Sequence, residues 1–276
     1  ILSASAGAGH VKAGQALLAA FRSLPPRIQD DKEIAREVLH VDALDYASPM
    51  LRWSYARGYI HCVRYAPVVF RKLYETLDNP FDLDSYLDSF RVKLEFLQSR
   101  RLIQFIEEFA PSAILVTHFL PAALVSNLKR RQRLNSYLGV VVTDFDVHAT
   151  WLVSDYDNYF VANQSTADYL DCLGFGERTV VTGIPIDPVF ANTKAVIPLQ
   201  QKFGLQPGLP TVLVSAGAFC LVPIEQTIKE LLEAKPRLQV IALCGKDEEL
   251  RRRVEQLEPQ NSEAGSGAAG NGIKRL

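Results

Sequence analysis

The opening 21 residues constrain the fold more than any other stretch. A short apolar start is followed by a run of tiny residues containing Gly7 and Gly9, and then by apolar side chains at helical spacing. This order predicts a strand, a tight turn and a helix, the first half of a βαβ unit. Glycines let the backbone approach a ligand closely, and the N–H groups at a helix start favour an anion. The turn is therefore a candidate anion site, with His10 beside it.

Two other interpretations of this turn remain open. A dinucleotide fingerprint would need glycine at position 12, where the chain has Lys12, although Asp42 stands where a ribose-binding acid would follow. A tight turn without a ligand would explain Gly7 and Gly9, but it would leave His10 at the helix start unexplained.

Strand-like and helix-like segments alternate along the chain, which predicts an α/β protein with doubly wound parallel sheets. We predict a domain over residues 1–185, a proline-rich linker over 186–208 and a second, incomplete Rossmann-like domain over 209–258. Residues 259–276 are rich in Gly, Ala and Ser and are predicted to be disordered. The predicted strands are 37–41, 113–117, 137–143, 159–162, 179–183, 211–215 and 239–244, and the predicted helices include 90–109, 165–173 and 224–232.

Polar side chains follow three of the predicted strands. Asp42 follows the second strand, His118 the third, and Asp144, Asp146 and His148 the fourth. Ligands bind at this carboxyl edge in open α/β sheets, so these residues are candidates for substrate contact. Helix capping by Asp42 and a backbone hydrogen bond from His118 are equally open. The Asp-x-Asp-x-His run would also suit a metal ion, but it lacks the glycine and glutamate of a calcium loop.

Residues 52–74 mix aromatic and basic side chains, a combination suited to a membrane interface. Buried helices also carry aromatic residues, so core packing is the alternative. Pro67 divides the segment.

Composition excludes some classes of protein. The 30 basic and 31 acidic side chains argue against a nucleic-acid binder with a wholly basic surface. The four cysteines form no Cys-x-x-Cys pair, so neither a zinc site nor a disulfide framework is predicted, and reduced thiols fit a cytoplasmic protein. No apolar run is long enough to cross a bilayer, and no signal peptide is recognised.

Five motifs occur in order along the chain: SASAGAGH (3–10), HVDALDY (40–46), THFLP (117–121), VTDFDVH (142–148) followed by Trp151, and VTGIPIDP (181–188). Together they resemble the monogalactosyldiacylglycerol synthase and processive diacylglycerol glucosyltransferase group, family 28 of the glycosyltransferases. The resemblance implies two Rossmann-like domains of the glycosyltransferase B type and an inverting transfer without metal or cofactor. It also implies a UDP-sugar donor, a diacylglycerol or glycolipid acceptor, and a peripheral location on an anionic membrane surface.

The same resemblance suggests roles for individual residues. His10 would be the general base, since an imidazole with a pKa of about 6.5 accepts a proton near neutrality. Asp144 is the second catalytic candidate and, with His148, would orient the acceptor. The remaining candidates are Gly7, Gly9, Asp42, His118 and Trp151 for substrate, and Gly217, Ala218, Phe219 and Gly245 for the donor. Relatives usually have a second glycine where Ala218 stands.

The resemblance ends before the family's glycine-rich donor loop and its Pro-x-x-Gly-Gln-Glu-like segment, so the chain resembles a C-terminally truncated member and is expected to be inactive alone. A lipid-binding or partner-binding remnant without catalysis is therefore the alternative function. A sugar-nucleotide epimerase of the same fold is less favoured, because it would not need the aromatic and basic segment.

Overall fold

The computed structural model divides the chain into two compact units, residues 1–192 and 193–276. Each unit is described by itself below. The structure describes residues 1–25, 27–29, 32–34, 37–58, 61–62, 65–66, 68, 71–72, 75–76, 78, 80, 86–192, 196–215, 224–233, 238–245, 247–257 and 273–275.

A six-stranded parallel sheet organises the first unit, with strand order β4-β1-β5-β6-β7-β8. Leu2 of β1 lies between Val41 of β4 and Val116 of β5. A separate antiparallel pair, β2 and β3, was not predicted from the sequence. The strands of this unit are β1 (Leu2–Ser3), β2 (Arg27–Gln29), β3 (Lys32–Ile34), β4 (Val41–Asp42), β5 (Ala113–Val116), β6 (Tyr137–Val141), β7 (Asn158–Val161) and β8 (Thr179–Val181).

Helices connect these strands, and the predicted α/β class with a doubly wound parallel sheet is confirmed. Short 3-10 turns at Ala43–Asp45, Ala149–Trp151, Gly176–Arg178 and Pro188–Phe190 and a π turn at Ser54–Gly58 complete the described connections. The helices are α1 (Ala8–Ser23), α2 (Pro49–Trp53), α3 (Tyr86–Gln98), α4 (Arg100–Phe109), α5 (Phe119–Arg130) and α6 (Gln164–Cys172).

The order in which successive strands are added to the sheet reverses at β1. From β1 the chain passes through α1 to β4 on one side, and it later returns to β5 on the other side. Open α/β sheets bind ligands outside the carboxyl ends of the strands at such a switch point. The ends of β1 and β5 therefore define where a site belongs.

Helix α5 was not predicted from the sequence; it begins with a turn formed by Phe119, Leu120 and Pro121. The turn is the first turn of a helix in which every residue from Leu120 to Leu128 is buried. Pro121 stands in that first turn, where a missing N–H is tolerated. The helix packs on β5 and β6 and supplies much of the core of the first unit.

The single helix predicted over residues 90–109 is two helices, α3 and α4, separated at Ser99. The backbone carbonyl of Gln98 accepts a hydrogen bond from the Ser48 N–H at 2.9 Å, and the Ser48 hydroxyl donates to Oε1 of Gln98 at 2.6 Å. The Gln98 carbonyl therefore bonds to Ser48 and not to an N–H group of a following helical turn. The second predicted strand, 37–41, is found at Val41–Asp42, where β4 pairs with Leu2 and Ser3 of β1.

The second unit contains a three-stranded parallel sheet, β11-β10-β9, built from β9 (Thr211–Ser215), β10 (Gln239–Leu243) and β11 (Ile273–Arg275). Its described helices are α7 (Val196–Lys202), α8 (Glu225–Glu233) and α9 (Glu248–Glu255). The predicted linker, 186–208, includes α7. The predicted disordered tail, 259–276, was wrong at its end, where β11 pairs with β10, because that edge of β10 offers free backbone groups.

No helix within the described ranges is both long enough and apolar enough to span a bilayer.

Candidate active site

Three segments bring polar side chains together at the carboxyl edge of the first sheet. Helix α1 carries His10 after β1, the end of β5 leads into Thr117 and His118, and Thr143 and Asp144 follow β6. Since β1, β5 and β6 are neighbours, these five residues meet at the switch point.

Thr117 holds His10 by both its backbone and its side chain. Nδ1 of His10 lies 3.0 Å from the Thr117 carbonyl oxygen and 2.7 Å from Oγ1 of Thr143. The Thr117 hydroxyl in turn donates to the His10 carbonyl at 2.8 Å. A carbonyl only accepts hydrogen bonds, so Nδ1 carries the proton and Nε2 of the neutral ring keeps its lone pair. His10 is thus held in the tautomer that accepts a proton at Nε2.

Gly7 leaves space beside that nitrogen. A Cβ added at Gly7 would lie 3.7 Å from Nε2 and 3.4 Å from Cδ2 of His10, whereas one added at Gly9 would have nothing within 4 Å. Gly7 is also the N-cap of α1, with neither a side-chain cap nor an acidic residue in the first turn among the described residues. The positive end of the α1 dipole is therefore left for an anion to complement.

His118 packs its ring edge-to-face against His10, with 4.7 Å between centroids. Nδ1 of His118 accepts the Leu120 N–H at 3.0 Å and so caps α5. Burial, followed by the nearby His10 and Arg91, holds the pKa of His118 well below its usual range. His118 is therefore a neutral, positioning part of the cluster that is 1% exposed.

Trp151 packs beside the cluster, with its ring centroid 6.2 Å from that of His10. The ring is 1% exposed, and its indole N–H donates to Oδ2 of Asp144 at 2.9 Å. This bond orients the Asp144 carboxylate, which is exposed. Burial lowers the pKa of His10, while the Asp144 charge and the Thr117 hydrogen bond oppose that lowering.

The two buried imidazoles make folding depend on pH. In the folded state the pKa of each is lowered, whereas the unfolded chain binds protons below about pH 6.5. The unfolded state therefore binds more protons in acid, and the free energy of unfolding falls as the pH drops below that value.

We expect Asp144→Asn to move the titration of His10 to lower pH. The amide oxygen still accepts the Trp151 N–H, but the negative charge that raises the His10 pKa is gone. NMR titration of the His10 imidazole measures this. Asp146→Asn is the matched control, because it removes an equal exposed charge two residues away. An unchanged or higher pKa in Asp144→Asn would contradict the assigned interaction.

The structure does not bring every predicted residue to this cluster. Oδ1 of Asp42 accepts the N–H groups of Ser5 and Leu44 at 3.1 and 3.0 Å, so Asp42 caps a 3-10 turn and braces the glycine turn. His148 caps the 3-10 turn that positions Trp151, and its Nε2 lies 3.8 Å from Oδ1 of Asp78.

The predicted donor residues belong to the second half of the chain. Gly217, Ala218 and Phe219 lie outside the described residues. Gly245 follows β10 with a φ of 56°, in the left-handed region that favours glycine.

Sequence reasoning missed a buried polar network behind His118. The Tyr55 hydroxyl donates to Oε1 of Glu95 at 2.7 Å, and Nη1 of Arg91 donates to both oxygens of that carboxylate at 3.0 and 3.1 Å. The ring of Tyr55 lies edge-on to His118 at 5.8 Å. The four-residue spacing of Arg91 and Glu95 was a readable signal for the ion pair, but not for its burial. Thr143, also missed, was visible as a polar residue at a strand end.

Within the part of the chain that the structure describes, no three His, Cys, Asp or Glu side chains are grouped so that they could hold a metal ion.

Comparison with known proteins places this arrangement in context. The family model described as monogalactosyldiacylglycerol (MGDG) synthase matches residues 10–186, which include every member of the cluster.

Two of the curated relatives come from staphylococci. The chain is 26% identical over 256 residues to the processive diacylglycerol beta-glucosyltransferase of Staphylococcus epidermidis, and 28% identical over 262 residues to the protein of that name from Staphylococcus aureus. Each alignment covers 92% of this chain and 61% of the relative. The chain thus spans about three fifths of the length of the relatives it matches.

Proposed function

This chain belongs to the monogalactosyldiacylglycerol synthase family, and we propose that it forms the acceptor-binding domain, with part of the donor-binding domain, of a hexosyltransferase. The donor is a UDP-sugar, the acceptor is the free hydroxyl of diacylglycerol or a related glycolipid, and the transfer inverts the anomeric carbon. The names of the relatives support the acceptor and the sugar class.

The contacts of His10 Nδ1 with the Thr117 carbonyl and Thr143 Oγ1, from which we assign the proton to Nδ1, are the observation that carries this proposal. Nε2 removes the proton from the acceptor hydroxyl as the hydroxyl oxygen forms a bond to the anomeric carbon. The bond from that carbon to the diphosphate oxygen breaks, and UDP leaves with the bonding electrons. Attack opposite the leaving group inverts the configuration, and the proton ends on His10.

Two features near His10 stabilise the charges that develop. The imidazolium formed at His10 is favoured by the Asp144 carboxylate, whose charge raises the pKa of that ring. The leaving diphosphate gains negative charge, which the uncapped first turn of α1 beside Gly7 would stabilise.

Sugar transfer tests the proposal directly. The complete natural gene product is mixed with UDP-glucose or UDP-galactose and with vesicles containing diacylglycerol, and both UDP and glycosylated lipid are measured. We expect lipid product of the β configuration from an α-linked donor. Product that retains the donor configuration, or UDP release that does not depend on diacylglycerol, would contradict the proposal.

Exposed apolar side chains support peripheral membrane contact by the segment around residue 60. Met50, Trp53, Tyr65 and Val68 are each more than half exposed. Most of the remaining positions between 59 and 85, including Arg64, lie outside the described residues. Aromatic side chains with nearby cations suit a lipid surface that carries negative charge.

We expect Trp53→Ser to weaken binding to vesicles of phosphatidylcholine, phosphatidylglycerol and diacylglycerol by roughly tenfold, since it removes one inserted aromatic ring. Binding of the parent protein should also weaken as salt screens its cations. Vesicle sedimentation measures both effects. Phe190→Ser, at a side chain that is 76% exposed outside this segment, is the control. Equal loss in the two variants, or no binding at any salt, would count against the idea.

A further inference from the structure

Asp78 contacts the loop that carries Trp151, although it stands 71 positions before its partner in that loop. Oδ1 of Asp78 accepts the N–H of Ala149 at 2.9 Å. Ala149 is the first residue of the 3-10 turn Ala149–Trp151. The first N–H groups of a helical turn have no acceptor inside the turn, so an acceptor from elsewhere stabilises its start. Asp78 provides such an acceptor from a distant segment.

His148 completes the start of the same turn. As its N-cap, His148 accepts the Thr150 N–H at Nδ1, at a distance of 3.1 Å. A neutral imidazole that accepts at Nδ1 carries its proton on Nε2, and this atom lies 3.8 Å from Oδ1 of Asp78. The His148 side chain is 9% exposed, whereas that of Asp78 is 43% exposed. One carboxylate oxygen thus lies against both the backbone and the side chain that begin the turn.

The last residue of the turn holds the carboxylate of Asp144. The Trp151 ring is 1% exposed, and its indole N–H donates to Oδ2 of Asp144 at 2.9 Å. The Trp151 carbonyl accepts the Tyr159 hydroxyl at 2.9 Å, which ties this end of the turn to β7. Because Ala149 and Trp151 belong to one turn of three residues, a displacement of its start also moves the indole ring.

We propose that Asp78 is a positioning residue of the active site, which fixes the start of this turn and, through Trp151, the place of the Asp144 carboxylate. Its effect on sugar transfer rests on the function proposed above, whereas its effect on Trp151 and Asp144 does not. The alternative is that the bond to Ala149 only attaches the segment containing Asp78 to the first unit. In that case, loss of the bond would leave the indole ring and the His10 cluster unchanged.

Hydrogen exchange at the indole N–H of Trp151 tests the structural step in the whole chain. Asp78→Ala should accelerate this exchange about tenfold, because it removes a charge-assisted hydrogen bond that restrains local opening. Asp78→Asn keeps an oxygen that can accept the Ala149 N–H, so its exchange should stay within about threefold of the parent. The second tryptophan, Trp53, is 56% exposed and gives a reference signal in the same spectrum.

Asp157→Ala is the matched control for this experiment. Asp157 also accepts a backbone N–H from a distant residue, that of Leu138 at 2.6 Å, and its side chain is 39% exposed. This bond lies where β6 and β7 begin, whereas the His10 cluster lies at the carboxyl edge of the sheet. Asp157→Ala should therefore accelerate Trp151 exchange less than Asp78→Ala does. Equal acceleration by the two variants, or none in Asp78→Ala, would overturn the proposal.

NMR titration of His10 tests whether Asp144 is displaced. The Asp144 charge raises the pKa of His10, so a displaced carboxylate should lower that pKa. Asp78→Ala should therefore move the His10 titration to lower pH than Asp78→Asn does, although both remove the same charge. In the Asp144→Asn background the two Asp78 variants should titrate alike, because no carboxylate is left to displace. Equal titration of the two variants without Asp144→Asn would contradict the link to Asp144.

Sugar transfer by the complete natural gene product tests the functional step. Asp78→Ala should lower kcat about tenfold and leave KM for the UDP-sugar within about twofold, while Asp78→Asn should restore most of kcat. An active parent whose kcat is unchanged by Asp78→Ala would overturn the role in transfer. If the parent itself transfers no sugar, the function proposed above fails, and the exchange and titration results decide whether Asp78 positions Asp144.

Discussion

His10→Ala is expected to lower the rate of sugar transfer by about 10²- to 10⁴-fold, the usual loss when a positioned general base is removed. The substitution removes the imidazole and with it Nε2, whose lone pair can accept a proton because Nδ1 carries the ring proton and makes the hydrogen bonds. Steady-state kinetics should show the loss in kcat, because the base acts in the transition state and contributes less to ground-state binding.

Gln15→Ala is the matched control for this experiment. Gln15 is exposed on the same helix, so its loss should leave both rate and melting temperature close to those of the parent protein. Circular dichroism should show that His10→Ala is folded. If its activity stays within a few-fold of the parent, His10 is a structural residue and Asp144 becomes the better candidate for the base.

Glu95→Ala should lower the free energy of unfolding by about 3–5 kcal/mol, the cost of breaking a buried ion pair by removing one partner. The Glu95 side chain is 4% exposed and satisfies both the Tyr55 hydroxyl and the Arg91 guanidinium. Its loss removes an acceptor that the Tyr55 hydroxyl and the Arg91 guanidinium share. Urea denaturation measures the change.

The control removes the whole network rather than one member. The triple variant Tyr55→Phe/Arg91→Met/Glu95→Leu replaces all three members by apolar side chains and should be closer to the parent in stability than Glu95→Ala. Glu107→Ala, which breaks a half-exposed pair with Arg133, should cost at most about 1 kcal/mol. A loss in Glu95→Ala no greater than in Glu107→Ala would mean that the network contributes little.

Parts of the fold could be predicted because the sequence patterns that indicate them are local. The tiny residues before Val11, and the apolar runs that become β5, β6, β9 and β10, predicted their elements closely. Helix α5 was missed because a helix buried all round has no amphipathic period. The break between α3 and α4 was missed because the hydrogen bonds that accompany it come from Ser48, fifty residues earlier.

The candidate site was predictable as a set of strand-end residues, but not as an arrangement. Asp42 ends β4, and His118 and Asp144 stand shortly after β5 and β6, but only the strand order reveals that β5 and β6 lie on one side of β1 while β4 lies on the other. The tautomer of His10 likewise depends on residues that are distant in the sequence. Nothing within residues 1–21 indicates that a carbonyl at position 117 determines which nitrogen of His10 is protonated.

The hydrogen bonds between His10 and Thr117 have a consequence for biosynthesis, because the two residues are 107 positions apart. At about 5–20 residues per second, roughly 5 to 20 seconds separate the synthesis of β1 from that of β5. Until then β1 lacks one of its two neighbouring strands, and the imidazole has no carbonyl to orient it. The nascent chain must therefore keep Leu2 and its flanking residues from pairing wrongly, and catalytic geometry arises only when distant segments have docked.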